Sequence, residues 1–425
     1  MKAMLQKIPK DRLCEYAAQL LTVLFFMSIY IFETKSWGSL ILFAIGGAVM
    51  LLALFRQKSL FPIRFGAYHF FVLAFAGYVL LSALWAWRAA YAVEKASTMV
   101  KILFVMAMLY YYYAQDKDVF ALIRVVMWAC YGIVLYTFLY YGPKEVVVAV
   151  LDGGRLLTRF TNVNSLGMLS AFAIIINVYV AIYDRLRWSA LLALPALCLI
   201  LATGSRKAFL MLFMGIMMIV FLRLTANQSL WKIAMYGGIV LLGGLLALWI
   251  VSITPIFSGI WHRILSMLAI VTGKGEVDYS TWLRQEYIKA GFRQFLETPI
   301  FGIGVGNPRI IAFRDYGTDC YLHNNFVELL AGGGFLGFAF FYAMHGYLFV
   351  SLLRYRRFGD RNTVICLTML VLLVFLDYAA VSYYYKSIYF YLMIFFLQVR
   401  NLKQQYGRKA NESETTASGG DAVSS

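Results

Sequence analysis

Charge is scarce in this sequence. Only 14% of its 425 residues are Asp, Glu, Lys or Arg, against about 25% in ordinary soluble domains. Hydrophobic residues make up 62% and the mean hydropathy is +0.73. No soluble core could hide so much apolar surface, which excludes an ordinary globular domain and bulk disorder. Cysteine is scarce too. Of the five, Cys14, Cys130, Cys198 and Cys366 lie in or beside apolar runs, and Cys320 alone lies in a long polar loop. Neither a disulfide framework nor a CxxC metal site follows. The four histidines are His69, His262, His323 and His345. None gives His323 a spaced partner, and acidic residues near it are few, so no metal cage is expected.

What the sequence has is apolar runs of spanning length. About 20 apolar residues cross the hydrocarbon core as a helix. Twelve candidates stand at about 14–32, 38–55, 67–87, 97–114, 119–141, 162–183, 188–203, 206–224, 231–253, 325–352, 362–381 and 385–401. Backbone groups in lipid must be satisfied within the segment, so the expected fold is all-α and polytopic. The basic start (Lys2, Lys7, Lys10, Arg12) is followed by no A-x-A-like cleavage site, so the first span is expected to be retained.

Twelve spans divide the connecting segments into two sets. The set that includes both termini holds 21 Lys and Arg, the opposite short loops hold 10, and the long segment 254–324 holds 7. The positive-inside rule then puts both termini in the cytoplasm and 254–324 outside. Topology accounts for much of the +17 net charge, and no nucleic-acid partner is called for. The organisation expected is spans one to nine over 1–253, an external loop over 254–324, spans ten to twelve over 325–401, and a polar, disordered cytoplasmic tail over 402–425.

Four segments of the expected external side carry chemistry. In Thr203-Gly204-Ser205-Arg206-Lys207, Ser205 is a natural N-cap. Cations at a helix N-terminus oppose the macrodipole unless an anion joins them. The stretch is therefore either an interfacial anchor or a phosphate site. The second segment runs from Gly153-Gly154-Arg155 through Arg159 to Asn162-Val163-Asn164. It is polar and basic, with either Asn able to cap the next helix. The third, Trp282–Leu296, repeats Leu283, Tyr287, Gly291 and Phe295 every four residues, beside a stripe of Ile288, Phe292 and Leu296. It reads as an amphipathic helix lying over the bundle, with Arg284 beside its apolar stripe. The turn Pro299-Ile300-Phe301-Gly302-Ile303-Gly304-Val305-Gly306 follows. It has no βαβ context and is not read as a nucleotide fingerprint. The fourth holds His323 and Asn324 at the start of span ten. The helix N-terminus there favours a neutral imidazole, suited to a general base.

These residues resemble a known family. Leu283-Arg284, then Pro299–Gly304, then His323-Asn324-Asn325-Phe326-Val327-Glu328 and Gly334-Phe335-Leu336-Gly337 are similar to the O-antigen ligase/polymerase pattern R-x(n)-P-x-x-G-x-G … H-N-x-x-L/V. Gly204-Ser205-Arg206 resembles its T-x-S-R motif. Arg155 with Asn162-Val163-Asn164 resembles its R…N-P-N segment, with Val163 in place of proline. The resemblance implies an inverting, metal-independent glycosyltransferase of the GT-C type in the bacterial inner membrane, with no cofactor. Its partners would be an undecaprenyl-diphosphate-linked glycan, an acceptor glycan or lipid A–core, and membrane lipid. By matching position, Arg206 and Arg284 would hold the diphosphate and His323 would act on the acceptor hydroxyl. Arg155, Arg159, Asn164, Lys207 and Asn324 would bind substrate. The rival reading is a twelve-helix transporter or flippase, which would place charge near the membrane midplane.

Overall fold

The computed structural model describes residues 10–57, 65–116, 118–151, 155–184, 187–225, 228–254 and 279–420, with scattered positions between 255 and 278. Among the described residues there are fifteen α-helices and no strand. The first ten are α1 (Lys10–Ile31), α2 (Gly38–Gln57), α3 (Ala67–Leu81), α4 (Ala89–Tyr113), α5 (Phe120–Tyr141), α6 (Pro143–Leu151), α7 (Val163–Asp184), α8 (Ala193–Thr203), α9 (Arg206–Leu224) and α10 (Leu230–Ile253). Then come α11 (Tyr279–Glu297), α12 (Pro308–Tyr316), α13 (Asn325–Arg356), α14 (Arg361–Asp377) and α15 (Lys386–Gly420).

Eight of them are long and apolar enough to cross a membrane: α1, α2, α3 with its terminal 3-10 turn, α5, α7, α9, α10 and α13. The four other expected spans fall on helices as well. α4 carries Glu94, Lys95 and Lys101 in its first half, and α8 is short, entered through a 3-10 turn at Arg187–Leu192. α14 has 17 residues. α15 runs on to Gly420, past the start of the polar tail at about 402 where composition predicts loss of order, and its last fully buried described side chain is Leu402. The environment is visible in α10, which packs mainly on α9. Its Leu241, Leu242, Leu245, Leu246 and Trp249 are all more than half exposed. A helix apolar on every side and so bare needs lipid to cover it.

Because successive spans alternate in direction, the bundle has two distinct ends. At one, Arg56 pairs with Asp116 (2.8 Å), Arg361 with Asp118 (2.5 Å), and Arg356 donates to the Leu222 carbonyl (2.6 Å). At the other, Thr161 donates to Glu33 (2.7 Å), Asn324 to the Tyr378 carbonyl (2.9 Å), and Lys386 to Ser39 (3.3 Å). The second end carries α11 and α12. The amphipathic helix is present as α11, and its buried side chains are Tyr287, Ala290, Gly291 and Gln294, facing α13. Phe292 and Leu296, read from sequence as part of its apolar face, are 47% and 62% exposed and point away from the bundle. Gly291 lies at that contact: a Cβ there would come within 2.4 Å of Leu322 Cδ1 and 2.6 Å of Val327 Cγ1, so a larger residue would require those side chains to shift.

The glycine-rich turn after α11 is a joint with α13. Gly302, Gly304 and Gly306 all have positive φ, and α13 itself breaks at Gly334 (φ 62°, ψ −168°). The two breaks lock together through the backbone: Ile303 N–H to the Ala331 carbonyl (3.0 Å) and Phe335 N–H to the Pro299 carbonyl (2.7 Å). A Cβ on Gly334 would sit 2.2 Å from the Ile300 carbonyl oxygen. Gly334→Ala combines overpacking with a backbone region open only to glycine, together about 2–6 kcal/mol. We expect a large drop in thermal midpoint in detergent. Gly346→Ala, with nothing within 4 Å of the new methyl, should leave the midpoint unchanged or slightly raised.

Candidate active site

The site begins at the α8–α9 hinge. Gly204 ends α8 in the left-handed conformation (φ 56°), and Ser205 caps α9 by accepting from the Ala208 N–H. The chain reverses over these two residues, which places Arg206 and Lys207 on the first turn of α9. Asn162 accepts from the Asn164 N–H (2.9 Å) at the start of α7. Gly167 brings α7 against the hinge, since a Cβ there would meet Thr203 Oγ1 at 2.7 Å. Arg155 ties the two motifs together, donating to the Thr203 carbonyl (3.2 Å) and to Asn164 Oδ1 (2.9 Å). Motifs some 50 residues apart in sequence thus form one surface.

A cavity of about 330 Å³ opens beside this surface. Lys207, Arg284, His323, Asn162 and Asn164 line its polar part, with Glu33, Asp377, Tyr321, Tyr384, Tyr385 and Lys386. Its apolar part is built by Ile29, Met168, Leu169, Phe172, Leu373 and Ile388 from α1, α7, α14 and α15. Lys207 donates to the Ala379 carbonyl. Arg284, Arg206 and Arg155 all lie within electrostatic range of Lys207. Four basic groups gathered without a ligand disfavour one another's charge, and an anion with two or more charges would reverse the sign.

His323 sits just before the Asn324 N-cap of α13. Among the described residues it is the one non-glycine residue with positive φ, 57°. Such a conformation costs about 1–3 kcal/mol and concentrates at functional sites. Its ring lies between Tyr321 (centroids 4.4 Å apart) and Tyr287 (6.0 Å, near-parallel). Burial first, then the Arg284 and Lys207 charges, push its pKa down to about 4. The shift runs in the direction expected from the sequence, with burial rather than the helix N-terminus as its leading cause.

Most of the candidates fall in one segment of the chain. Residues 190–342 match the family model described as O-antigen ligase. The match supports the O-antigen ligase/polymerase family for this chain. A relative, Teichuronic acid biosynthesis protein TuaE of Bacillus subtilis (strain 168), is 30% identical over 171 residues, 39% of this chain and 33% of the relative. The chain thus spans about a third of that relative's length.

The matched segment contains Arg206, Lys207, Arg284, His323 and Asn324; Arg155, Arg159 and Asn164 precede it. Of these eight, the cavity wall takes Lys207, Arg284, His323 and Asn164. Arg206 turns towards α11 and donates to Thr281 Oγ1 (2.9 Å). Both side-chain heads of Asn324 are engaged inside the fold, with the Val327 N–H (3.0 Å) and the Tyr378 carbonyl (2.9 Å). Arg159 is exposed, and its backbone N–H takes the Tyr141 hydroxyl.

The 378–385 loop is not apparent from the sequence. The expected span eleven runs to 381, whereas α14 ends at Asp377 and the chain folds into the cavity wall. The cause is polar. Asp377, 2% exposed, accepts from Ser382 Oγ and Tyr342 OH, and Asn325 Oδ1 accepts the Ser382 and Tyr383 N–H groups. A carboxylate next to Tyr383-Tyr384-Tyr385-Lys386 in an apolar run was the available signal. Glu33 also lines the wall. Desolvation pushes its carboxyl up, against the Thr161 hydroxyl and the Lys386 charge. Among the described residues, no group of three or more His, Cys, Asp or Glu side chains could hold a metal ion.

The depressed His323 pKa has a kinetic consequence. The acid limb of kcat/KM reports the free enzyme, so it should lie well below pH 6, nearer 4 than the ordinary histidine value. A bound diphosphate would neutralise Arg284 and Lys207 and let the imidazole pKa rise. The limb of kcat should therefore lie at higher pH than that of kcat/KM. Coincident limbs near 6.5 would contradict this environment.

Proposed function

We propose that this chain is a membrane glycosyltransferase that moves a glycan from a polyprenyl diphosphate, undecaprenyl diphosphate in bacteria, to a sugar hydroxyl of an acceptor. The carrying observation is that one cavity holds His323 beside Arg284 and Lys207, within an O-antigen ligase segment. In this reading the acceptor hydroxyl gives its proton to the neutral His323 ring as its oxygen attacks the anomeric carbon. The bond from that carbon to the diphosphate breaks on the opposite side, which inverts the configuration. Charge grows on the departing diphosphate, and fixed cations stabilise it without reorganising. Arg284 supplies a planar fork for two phosphate oxygens, and Lys207 a point charge. Arg206 supports them from the α11 side. The residues require no metal for these steps. The apolar part of the cavity receives the start of the lipid, which leaves between helices.

The reading includes twelve spans of GT-C type, with the cavity at the external face of the inner membrane and both termini in the cytoplasm. The relative's name places it in teichuronic acid biosynthesis, which supports a growing polysaccharide as the acceptor over lipid A–core. Orientation is tested by cysteine labelling in intact spheroplasts. Lys289 on α11 and Lys403 at the opposite end of the bundle serve as probes; both are exposed. A cysteine at 289, and not at 403, should react with an impermeant reagent; the reverse pattern would invert the topology. Function is tested in cells lacking the gene. Polyprenyl-diphosphate-linked glycan should accumulate on the outer leaflet and the mature polymer should be lost. Accumulation confined to the inner leaflet would point instead to a flippase.

A further inference from the structure

The unusual backbone of His323 is held from both sides. On one side Asn324 caps α13 and reaches the Tyr378 carbonyl. On the other, the N–H of Leu322 donates to Glu328 Oε2 at 2.8 Å. Leu322 is fully buried and Glu328 is 4% exposed. Glu328 is not part of the cavity wall, so it does not reach substrate. It stands in the first turn of α13, where a carboxylate is favoured by the helix N-terminus. It also reaches back past the cap to the 321–322 peptide, one residue before His323. Lys95 and Arg309 lie within electrostatic range of it. A buried carboxyl group needs such partners, and this one, bonded to the Leu322 N–H, restrains the 321–322 peptide. Leu322 through its N–H and Asn324 through its side chain are thus restrained on either side of His323, whose left-handed backbone lies between them.

We propose that Glu328 is the positioning residue for His323: its carboxyl holds the 321–322 peptide, one residue ahead of the histidine, and so aims the imidazole into the cavity. This rests on the reading of His323 as the proton acceptor. Loss of the carboxylate would let the loop relax to an ordinary backbone conformation and swing the ring. A misplacement of about 1 Å at a reacting group costs on the order of 10²-fold in rate. The donor site, built from α9 and α11, would be untouched.

The test is a double-mutant cycle on the full-length chain in lipid nanodiscs, with a polyprenyl-diphosphate glycan as donor. Glu328→Met keeps the volume and removes the acceptor. It should lower kcat on the order of 10²-fold with donor KM unchanged. Glu328→Gln retains an oxygen for the Leu322 N–H and should recover most of kcat. In the His323→Ala background, Glu328→Met should add nothing, because residues that act as a unit are not additive. If Glu328→Met does not accumulate as folded protein, Glu328→Asp decides: its shorter arm withdraws the acceptor and should show the same loss confined to kcat. Additive losses in the double variant, or a donor KM that rises with the kcat loss, would overturn the proposal. So would near-normal turnover of the Glu328 variants beside a deep loss in His323→Ala. Near-normal turnover of His323→Ala itself would instead remove the reading on which the proposal rests.

Discussion

His323→Ala is expected to reduce glycan transfer by about 10²–10⁴, the usual worth of a general base, while donor binding is retained. The ring is half-buried between Tyr287 and Tyr321 and lines the cavity beside Arg284 and Lys207. It is uncharged over the ordinary pH range because burial and those two cations disfavour its protonated form. A residue that only bound the acceptor would leave kcat largely intact at saturating acceptor and raise KM. Turnover at saturating acceptor, together with equilibrium binding of the lipid-linked donor, separates the two outcomes. His323→Gln offers a second view: it keeps a hydrogen-bonding side chain without the basic nitrogen, and should fail as deeply as alanine.

The second large effect belongs to Arg284. It lines the cavity from α11 and acts electrostatically on both Lys207 and His323. Removing one preorganised donor aimed at a developing charge costs about 10²–10³ in kcat, and Arg284→Gln should fall in that range. Arg284→Lys keeps the charge and loses the planar fork, so it should recover only part of the loss. The geometry ranks the arginines. Arg206 is engaged with Thr281 and stands outside the cavity wall, so Arg206→Gln should cost less than Arg284→Gln. Equal losses would mean that Arg206 swings into the cavity when donor binds.

Much of this was legible in the sequence, for physical reasons. Spans of apolar residues declare themselves because lipid demands them, and capping residues such as Ser205 and Asn162 mark where helices start. His323, Arg284 and Lys207 stood out because charge is rare in this chain. Their convergence was suggested by the shared face of the bundle. The roles of Asn324 and Glu328 were not legible, since both are polar residues satisfied inside the fold, and only coordinates show which N–H each one takes. The cavity wall at 378–385 was hidden for a related reason: Asp377 and Ser382 satisfy each other, so the segment passes for apolar span. On α11 the stripe of Tyr287 and Gly291 is buried as expected, while Phe292 and Leu296 of the adjacent stripe face out, because periodicity cannot say how far round a helix the contact extends.

The most direct measurement uses the purified chain in proteoliposomes, with a glycan on undecaprenyl diphosphate and a soluble acceptor as the only other components. The account predicts that a glycosidic bond forms, that one undecaprenyl diphosphate is released per bond, and that NMR of the product shows the anomeric configuration inverted relative to the donor. Intact donor carried across the bilayer with no bond cleaved, or a product that retains the donor's configuration, would contradict it.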